Sequence, residues 1–338
     1  MKLGYFFFLI LLAVLLQLFQ KIFNSIFKGH SDLSLQCPRG SFILPGMKMC
    51  HPWLTCLGIK ENVTVMNNDL GKGAQKIVKE GIWLGHPVAV SILQHKEHED
   101  DFQHNLKMLQ LFSQELHVAQ LVGWCMNDNS RSVIITELYP LGAADAIHST
   151  IINNFPFLNT IYEKFKFCVH FVKIIDILHS HPGGPLVLCD ANDPKKALSQ
   201  FLVTNNLTLV LNDMDALPQV NRATGELIKC GRRELIGDFV APEQLWPFDD
   251  LPFNDSAMPS YDEKVDIWKI PDVCNYIIGD KAGSSKLQLQ LFNIHSQCKQ
   301  LDPAKRPSAK QVLHVYNSIS KKLKLEETNT KSDKLIRH

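Results

Sequence analysis

The sequence lacks an excess of charge of either sign. Its 338 residues contain 35 lysines and arginines against 34 aspartates and glutamates, which leaves a formal net charge of +1. So balanced a chain has no overall field that would attract a polyanion. The composition therefore predicts no nucleic-acid partner. No internal repeat is visible either, which argues against a repeat architecture.

Long apolar runs are absent except at the amino terminus. Residues 3–23 are apolar apart from two glutamines and one lysine, and about 20 such residues span a bilayer. A single transmembrane signal anchor is therefore predicted. The alternative is a cleaved signal peptide, but no small-residue site of the A-x-A kind follows the run. Lysines on both sides leave the orientation undecided by charge.

Three N-glycosylation sequons bear on that orientation. They begin at Asn62, Asn206 and Asn254. Sequons are used in secreted and lumenal proteins, so they favour a lumenal catalytic part behind the membrane anchor. Chance occurrence is the alternative explanation.

The nine cysteines include a cluster of three in a short polar stretch. These three are Cys37, Cys50 and Cys56. We expect disulfides, although an odd number of cysteines leaves the pairing open. Zinc binding by this cluster together with His51 is the alternative, and the lack of C-x-x-C pairing argues against it.

A strand-rich part precedes a helix-rich part. Short apolar stretches alternate with glycine over residues 62–87, which is typical of antiparallel strands. Helical periods follow over residues 102–122 and 162–181. The polar carboxyl-terminal tail is expected to be disordered. The predicted segments are a transmembrane signal anchor, a cysteine-containing lumenal stem, an α+β domain of two lobes, and the tail, at residues 1–23, 24–60, 61–325 and 326–338.

Six short motifs occur in a fixed order within this domain. They are Gly71-Lys-Gly-Ala-Gln-Lys76, Cys189-Asp190, Asp213-Met-Asp215, Ala241-Pro-Glu243, Asp266-Ile-Trp268 and Arg306. Each motif is weak alone, but this order and spacing is the one that a protein-kinase fold requires, with several letters altered. The sequence therefore predicts a bilobal protein-kinase-like fold with a small β-rich lobe and a larger helical lobe. Such a fold binds ATP with Mg²⁺ or Mn²⁺.

The predicted nucleotide-binding residues are Gly71, Gly73, Lys76 and Glu137. The two glycines lack a Cβ that would obstruct phosphates, although a simple hairpin turn would have the same pattern. Ser91 stands where kinases have their phosphate-binding lysine, and Lys76 occupies the third glycine position of the loop. Lys76 is therefore expected to supply the ammonium group from the adjacent strand, an arrangement that resembles the with-no-lysine kinases. The alternative is a solvated lysine on a strand edge.

Asp190 takes the position of the catalytic-loop aspartate. Its carboxylate would accept the proton of the acceptor hydroxyl and orient that oxygen. Cys189 replaces the arginine of H-R-D, so control by activation-loop phosphorylation is not expected. Asn105 stands where the helix glutamate that pairs with the lysine is expected, with Asp100 and Asp101 as candidate substitutes.

The predicted metal ligands are Asp213 and Gln200. Asp213 stands at the start of the D-F-G position and offers a hard oxygen ligand. The segment with the second ligand is displaced by an insertion of five residues, which puts Gln200 in the place of the usual asparagine. Asn192 and Asp193 are rival ligands. Asp215 replaces the glycine and would serve a second ion or cap the turn.

Three further residues are expected to support the fold without reacting. Glu243 of A-P-E is expected to pair with Arg306, and Asp266 is expected to tie the catalytic loop to a buried helix.

Several segments resemble the protein O-mannose kinase family. They are Lys76 in the glycine loop, Asn212-Asp-Met-Asp215-Ala-Leu-Pro218, Gly237-Asp-Phe-Val-Ala-Pro-Glu-Gln-Leu-Trp246-Pro and Pro259-Ser-Tyr-Asp-Glu-Lys-Val-Asp-Ile-Trp-Lys-Ile-Pro271. The resemblance extends from about Cys37 to about Leu323 and includes the atypical Cys189-Asp190.

The resemblance implies a type II membrane protein of the endoplasmic reticulum with a lumenal catalytic domain. It implies phosphorylation of the 6-hydroxyl of an O-linked mannose, within a GalNAc-GlcNAc-Man trisaccharide on α-dystroglycan. Asp190 would be the base, Gln200 and Asp213 the metal ligands, and Lys76 the phosphate contact. Two other hypotheses are an inactive pseudokinase that acts as a binding scaffold and a secretory-pathway kinase for protein side chains.

Overall fold

A computed structural model describes residues 37–126, 131–280 and 283–336, with side chains described as far as residue 329. The predicted membrane anchor, residues 1–23, lies outside these ranges. Within them, no helix combines the length and the apolar character needed to cross a bilayer.

The first described residues pack onto the small lobe. They form the strands β1 (Ser41–Phe42) and β2 (His51–Pro52), which pair with each other, and the helix α1 (Cys56–Asn62). Phe42 and Leu44 are buried together with Trp83 and Val88 of the main sheet. Because burial of such side chains is favourable, residues 37–60 of the predicted stem belong to the small lobe in this structure.

The small lobe is built on a five-stranded antiparallel sheet in the order β3-β4-β5-β7-β6. The elements are β3 (Val63–Lys72), β4 (Lys76–Trp83), β5 (His86–Leu93), α2 (Glu99–Leu111), β6 (Leu121–Cys125) and β7 (Val133–Glu137). Helix α2 buries Phe102, Leu106 and Leu109, as its period predicts. The helix predicted over residues 102–122 is too long, because residues 121–125 pair with β7 as a strand.

The large lobe is mainly helical. Its elements are α3 (Ile147–Asn154), α4 (Ile161–His179), α5 (Pro194–Ser199), β8 (Phe201–Val203), β9 (Leu209–Leu211), α6 (Lys264–Ile278), α7 (Ser284–Cys298) and α8 (Ala309–Ile336). Helix α4 begins after Thr160, whose hydroxyl accepts a hydrogen bond from the Glu163 N–H at 3.1 Å. It packs against α6 and α8 and carries much of the core. The predicted α+β architecture is confirmed.

The carboxyl-terminal tail differs from its prediction. Residues 326–338 were expected to be disordered, but α8 is helical as far as Ile336. Lysine, leucine and glutamate are good helix formers and dominate residues 321–327. The Lys286 side chain lies 2.7 Å from a Glu326 carboxylate oxygen and so connects this helix to α7.

Four disulfides join eight of the cysteines. The pairs are Cys37–Cys50, Cys56–Cys125, Cys168–Cys274 and Cys189–Cys230, and Cys298 is a buried free thiol. The zinc alternative is wrong here, because its three cysteines are all disulfide-bonded and offer no thiolate. Two bonds secure the amino-terminal segment within the small lobe, and one joins α4 to α6.

Candidate active site

Gly73, Lys76, Asp190, Asp213 and Asp215 line one cavity between the lobes. Its volume is about 490 Å³, and its lining comes from the glycine loop, the catalytic loop, the segment after β9 and the segment 230–235. The charged side chains of the lining are four cations and three carboxylates, namely Lys76, Lys196, Arg232, Arg233, Asp190, Asp213 and Asp215. An excess of cationic groups suits a nucleoside triphosphate better than a neutral ligand.

The glycine loop connects β3 to β4. The Gly73 N–H donates to the Lys76 carbonyl oxygen at 2.9 Å and closes the turn. A Cβ placed on Gly71 would meet no atom within 4 Å, so the free loop does not itself require this glycine. Gly73 lines the cavity, whereas Gly71 does not.

Lys76 reaches across the cavity to Asp213. Its Nζ lies 2.6 Å from Asp213 Oδ1, and only 12% of the lysine side chain is exposed. In the sheet, Lys76 lies opposite Leu93, and Ser91 lies opposite Val78 on the same pair of strands. The ammonium group therefore enters the site from β4, one strand away from the serine that replaces the usual lysine.

Asn105 occupies the position of the missing helix glutamate and makes a different contact. Asn105 is 5% exposed, and its Oδ1 accepts a hydrogen bond from the Met214 N–H at 2.9 Å. Helix α2 thereby holds the segment that carries Asp213. Neither candidate substitute pairs with Lys76, because Lys76 binds Asp213 and Asp101 accepts a hydrogen bond from Gln75 at 3.2 Å.

The hairpin of β8 and β9 places Gln200 beside Asp213. Phe201 pairs with Leu211, so the residue before β8 faces the residues after β9. The Gln200 carbonyl oxygen accepts hydrogen bonds from the main-chain N–H groups of Asn212 and Asp213 at 3.0 and 3.1 Å. The two predicted metal ligands are thus joined through one short hairpin.

Asp190 faces the cavity from the catalytic loop. Its Oδ2 accepts a hydrogen bond from Gln200 Nε2 at 3.1 Å and lies 2.6 Å from Lys196 Nζ. Of the two rival metal ligands, Asp193 is engaged as the amino-terminal cap of α5, while Asn192 lines the cavity. The carboxamide nitrogen of Gln200 faces Asp190. Metal binding by Gln200 stays a prediction.

The pair Asp213 and Asp215 fits a divalent cation. Burial, followed by the charge of Asp213, raises the pKa of Asp215 to about 7. A hard cation bound beside Asp215 would favour its ionised form, which burial and the charge of Asp213 disfavour. No group of three or more histidine, cysteine, aspartate or glutamate side chains suited to a metal occurs in the described ranges. A kinase-type site needs fewer, since the nucleotide phosphates supply further oxygens.

Glu137 does not line the cavity. Its buried carboxylate accepts hydrogen bonds from Gln120 Nε2 at 3.1 Å and from the Tyr139 hydroxyl at 3.2 Å, and burial raises its pKa. Its side chain therefore stabilises the segment between the lobes, and a nucleotide contact by Glu137 would have to use its main chain.

The three supporting residues lie in the large lobe. Arg306 is 2% exposed and binds both carboxylate oxygens of Glu243, at 2.5 and 2.8 Å. Asp266 is 1% exposed; its Oδ2 accepts a hydrogen bond from the Leu188 N–H at 3.0 Å and lies 3.1 Å from His179 Nε2. The contact between Asp266 and Leu188 fixes the segment that leads into Asp190.

Two features of the site were missed by sequence reasoning. The Cys189–Cys230 disulfide joins the residue before Asp190 to the segment 230–235, whereas the odd cysteine count left every pairing open. Lys196 contacts Asp190, but it lies in an insertion with no motif. In the sequence, only its position between Asp190 and Gln200 could have indicated that Lys196 belongs to the site.

Comparisons with known proteins agree with this site. A family model described as protein tyrosine and serine/threonine kinase matches residues 64–181. A protein from Gallus gallus named protein O-mannose kinase is 45% identical over 313 residues, which cover 92% of this chain and 87% of that protein. The Homo sapiens protein of that name is 45% identical over 84% of this chain and 80% of its own length. The Xenopus laevis protein is 44% identical, with 86% and 82% covered.

Proposed function

The chain belongs to the protein O-mannose kinase family, which makes it a phosphotransferase of the glycan-kinase class, and we propose the following reaction. It transfers the γ-phosphoryl group of ATP to the 6-hydroxyl of an O-linked mannose. The mannose is part of a GalNAc-GlcNAc-Man trisaccharide on α-dystroglycan.

One observation carries the proposal. Asp190, Lys76 and Asp213 meet at a single cavity although they come from three separate parts of the chain. A scaffold that only bound partners would need neither a base nor a metal ligand, so the pseudokinase hypothesis is not favoured. The name shared by the relatives supports mannose as the acceptor and disfavours protein side chains.

The chemistry follows from these positions. Asp190 accepts the proton of the 6-hydroxyl as that oxygen attacks the γ-phosphorus, and ADP leaves on the opposite side. Lys76 neutralises phosphate charge from the small lobe. Asp213, with Gln200, would hold Mg²⁺ or Mn²⁺, which supplies further neutralisation of the phosphates when bound.

The test is an assay of the full chain in detergent with labelled ATP and Mg²⁺ or Mn²⁺. The acceptors are the trisaccharide and its matched 6-deoxymannose analogue, each also assayed with Asp190→Asn. We expect label only on the 6-hydroxyl acceptor and only when Asp190 is intact. ATP binding without any transfer would instead support a pseudokinase. Equal labelling of a deglycosylated protein substrate would support a kinase for side chains.

We also propose that the chain is a glycoprotein of the endoplasmic reticulum membrane, anchored by residues 1–23 with the catalytic part in the lumen. The sequon asparagines Asn62, Asn206 and Asn254 are all exposed, and four disulfides suit an oxidising compartment. Protease protection in sealed microsomes and a mobility shift after endoglycosidase treatment test this topology. Cleavage of the catalytic part in intact vesicles would refute it.

A further inference from the structure

The insertion after Asp190 folds into a short helix with a defined start. Asp193 caps α5, since its Oδ1 accepts a hydrogen bond from the Lys196 N–H at 2.8 Å, and Pro194 occupies the first helical position. Both features favour helix initiation. The backbone of Lys196 is therefore held in place beside the catalytic loop.

Two side chains from this region contact one oxygen of Asp190. Lys196 Nζ lies 2.6 Å from Asp190 Oδ2, and Gln200 Nε2 donates to the same atom at 3.1 Å. Gln200 is 2% exposed and directly precedes β8, so this carboxylate oxygen contacts both a buried amide and the exposed ammonium group of Lys196.

The Lys196–Asp190 contact contributes little to stability. The side chains are 43% and 41% exposed, and ion pairs in such surroundings contribute about 0–1 kcal/mol. Because this contact contributes little to stability and lies in the cavity, we attribute to it a role in the reaction. Lys195 provides the internal comparison, because it is exposed and does not line the cavity.

We propose that Lys196 is a positioning residue for phosphoryl transfer, an inference that rests on the proposed function. Together with Gln200 it holds Oδ2, so that Oδ1 is the oxygen turned toward the acceptor. In the reaction, the acceptor O–H bond breaks and its proton goes to Oδ1. The acceptor oxygen forms a bond to the γ-phosphorus, and the bond between that phosphorus and the leaving oxygen of ADP breaks.

The test uses the full chain in detergent and four variants: Lys196→Ala, Lys196→Met, Lys196→Arg and the matched control Lys195→Ala. We measure kcat and KM for ATP and for the trisaccharide, thermal melting, and the slow hydrolysis of ATP. Lys196→Ala and Lys196→Met are expected to lower kcat about 10- to 100-fold with KM for ATP changed less than about threefold, since misplacing a general base affects the chemical step. Lys196→Arg, which keeps the charge, is expected to recover most of kcat, and Lys195→Ala to resemble the wild type.

Three results would overturn the proposal. One is a kcat for both neutral variants within about threefold of wild type. Another is a loss confined to KM for ATP, which would make Lys196 a nucleotide contact. The third is an equal loss in Lys195→Ala. ATP hydrolysis separates this inference from the proposed function. If the wild type does not phosphorylate the trisaccharide, the proposed acceptor is wrong. The effect of the Lys196 variants on ATP hydrolysis, in which water is the acceptor, still decides the inference.

Discussion

At the scale of single residues, the proposed phosphate-binding cation and its carboxylate partner come from opposite lobes. Lys76 lies on β4 and Asp213 follows β9, yet their side chains meet at 2.6 Å. This ion pair connects the two lobes across the cavity. Binding of a metal ion at Asp213 would leave the ammonium group available to phosphate oxygens.

Replacing Lys76 is expected to depress turnover. Lys76→Ala removes the ammonium group of the small lobe that faces the phosphates, and we expect kcat/KM to fall by about 100-fold or more, as for loss of a preorganised charge. Steady-state assays with ATP and the trisaccharide measure this. Lys79→Ala on the same strand is the control, because Lys79 pairs with the exposed Asp69 at 2.7 Å and does not line the cavity. Near-normal activity of Lys76→Ala would refute the displaced-lysine hypothesis.

At the scale of elements, the segment 230–235 is attached to the catalytic loop by a covalent bond. Cys189 stands where an arginine would anchor a phosphorylated activation loop, and it is bonded to Cys230 instead. The attachment brings Arg232 and Arg233 to the wall of the cavity. The disulfide therefore attaches this wall covalently to the catalytic loop.

Removing this disulfide is expected to affect both stability and catalysis. The bond closes a loop of 41 residues, which by chain entropy corresponds to about 4 kcal/mol. For Cys189→Ser with Cys230→Ser we expect a lower free energy of unfolding and a lower kcat, because the cavity wall formed by the segment 230–235 loosens.

The matched control for that prediction is Cys37→Ser with Cys50→Ser. This bond closes 13 residues in the small lobe, and its residues do not line the cavity. We expect its loss to lower stability while leaving kcat near the wild-type value. Chemical denaturation and steady-state assays compare the two double variants. Equal losses of kcat in both double variants would show that the Cys189–Cys230 disulfide acts only through global stability.

At the scale of the whole molecule, stability depends on histidines held neutral in the large lobe. Burial lowers the pKa of His170 to about 3 and that of His295 to about 4, and His295 Nε2 lies 2.7 Å from the Tyr316 hydroxyl. Unfolding returns both pKa values to about 6.5. Below that pH the unfolded chain binds more protons than the native protein, so stability is lost as pH falls.

We expect the melting temperature to drop between pH 6.5 and pH 4.5. Each of the two histidines can contribute up to about 1.4 kcal/mol per pH unit over this interval. His295→Gln keeps a hydrogen-bonding group for Tyr316 but removes one proton site, so its profile should be flatter. Thermal melts at several pH values measure the difference. Parallel profiles for the two proteins would contradict this assignment.

Local pattern in the sequence was enough to predict the α+β architecture, the burial of one face of α2, and the order of Asp190, Asp213, Glu243 and Asp266. These depend on periodicity and on short motifs, which act between near neighbours along the chain. The choice of Lys76 also followed from local pattern, since Ser91 and the altered glycine loop are both visible in the sequence. The family resemblance rests on the same letters.

Tertiary structure decided the contacts between distant residues. The sequence did not determine which cysteines pair, that Asn105 holds Met214, that Glu137 turns away from the cavity, or that Lys196 reaches Asp190. Nor did it show that residues 37–60 pack onto the small lobe. Each of these depends on how separate elements pack against one another when the chain buries its apolar surface. Short-range pattern carries no record of that arrangement.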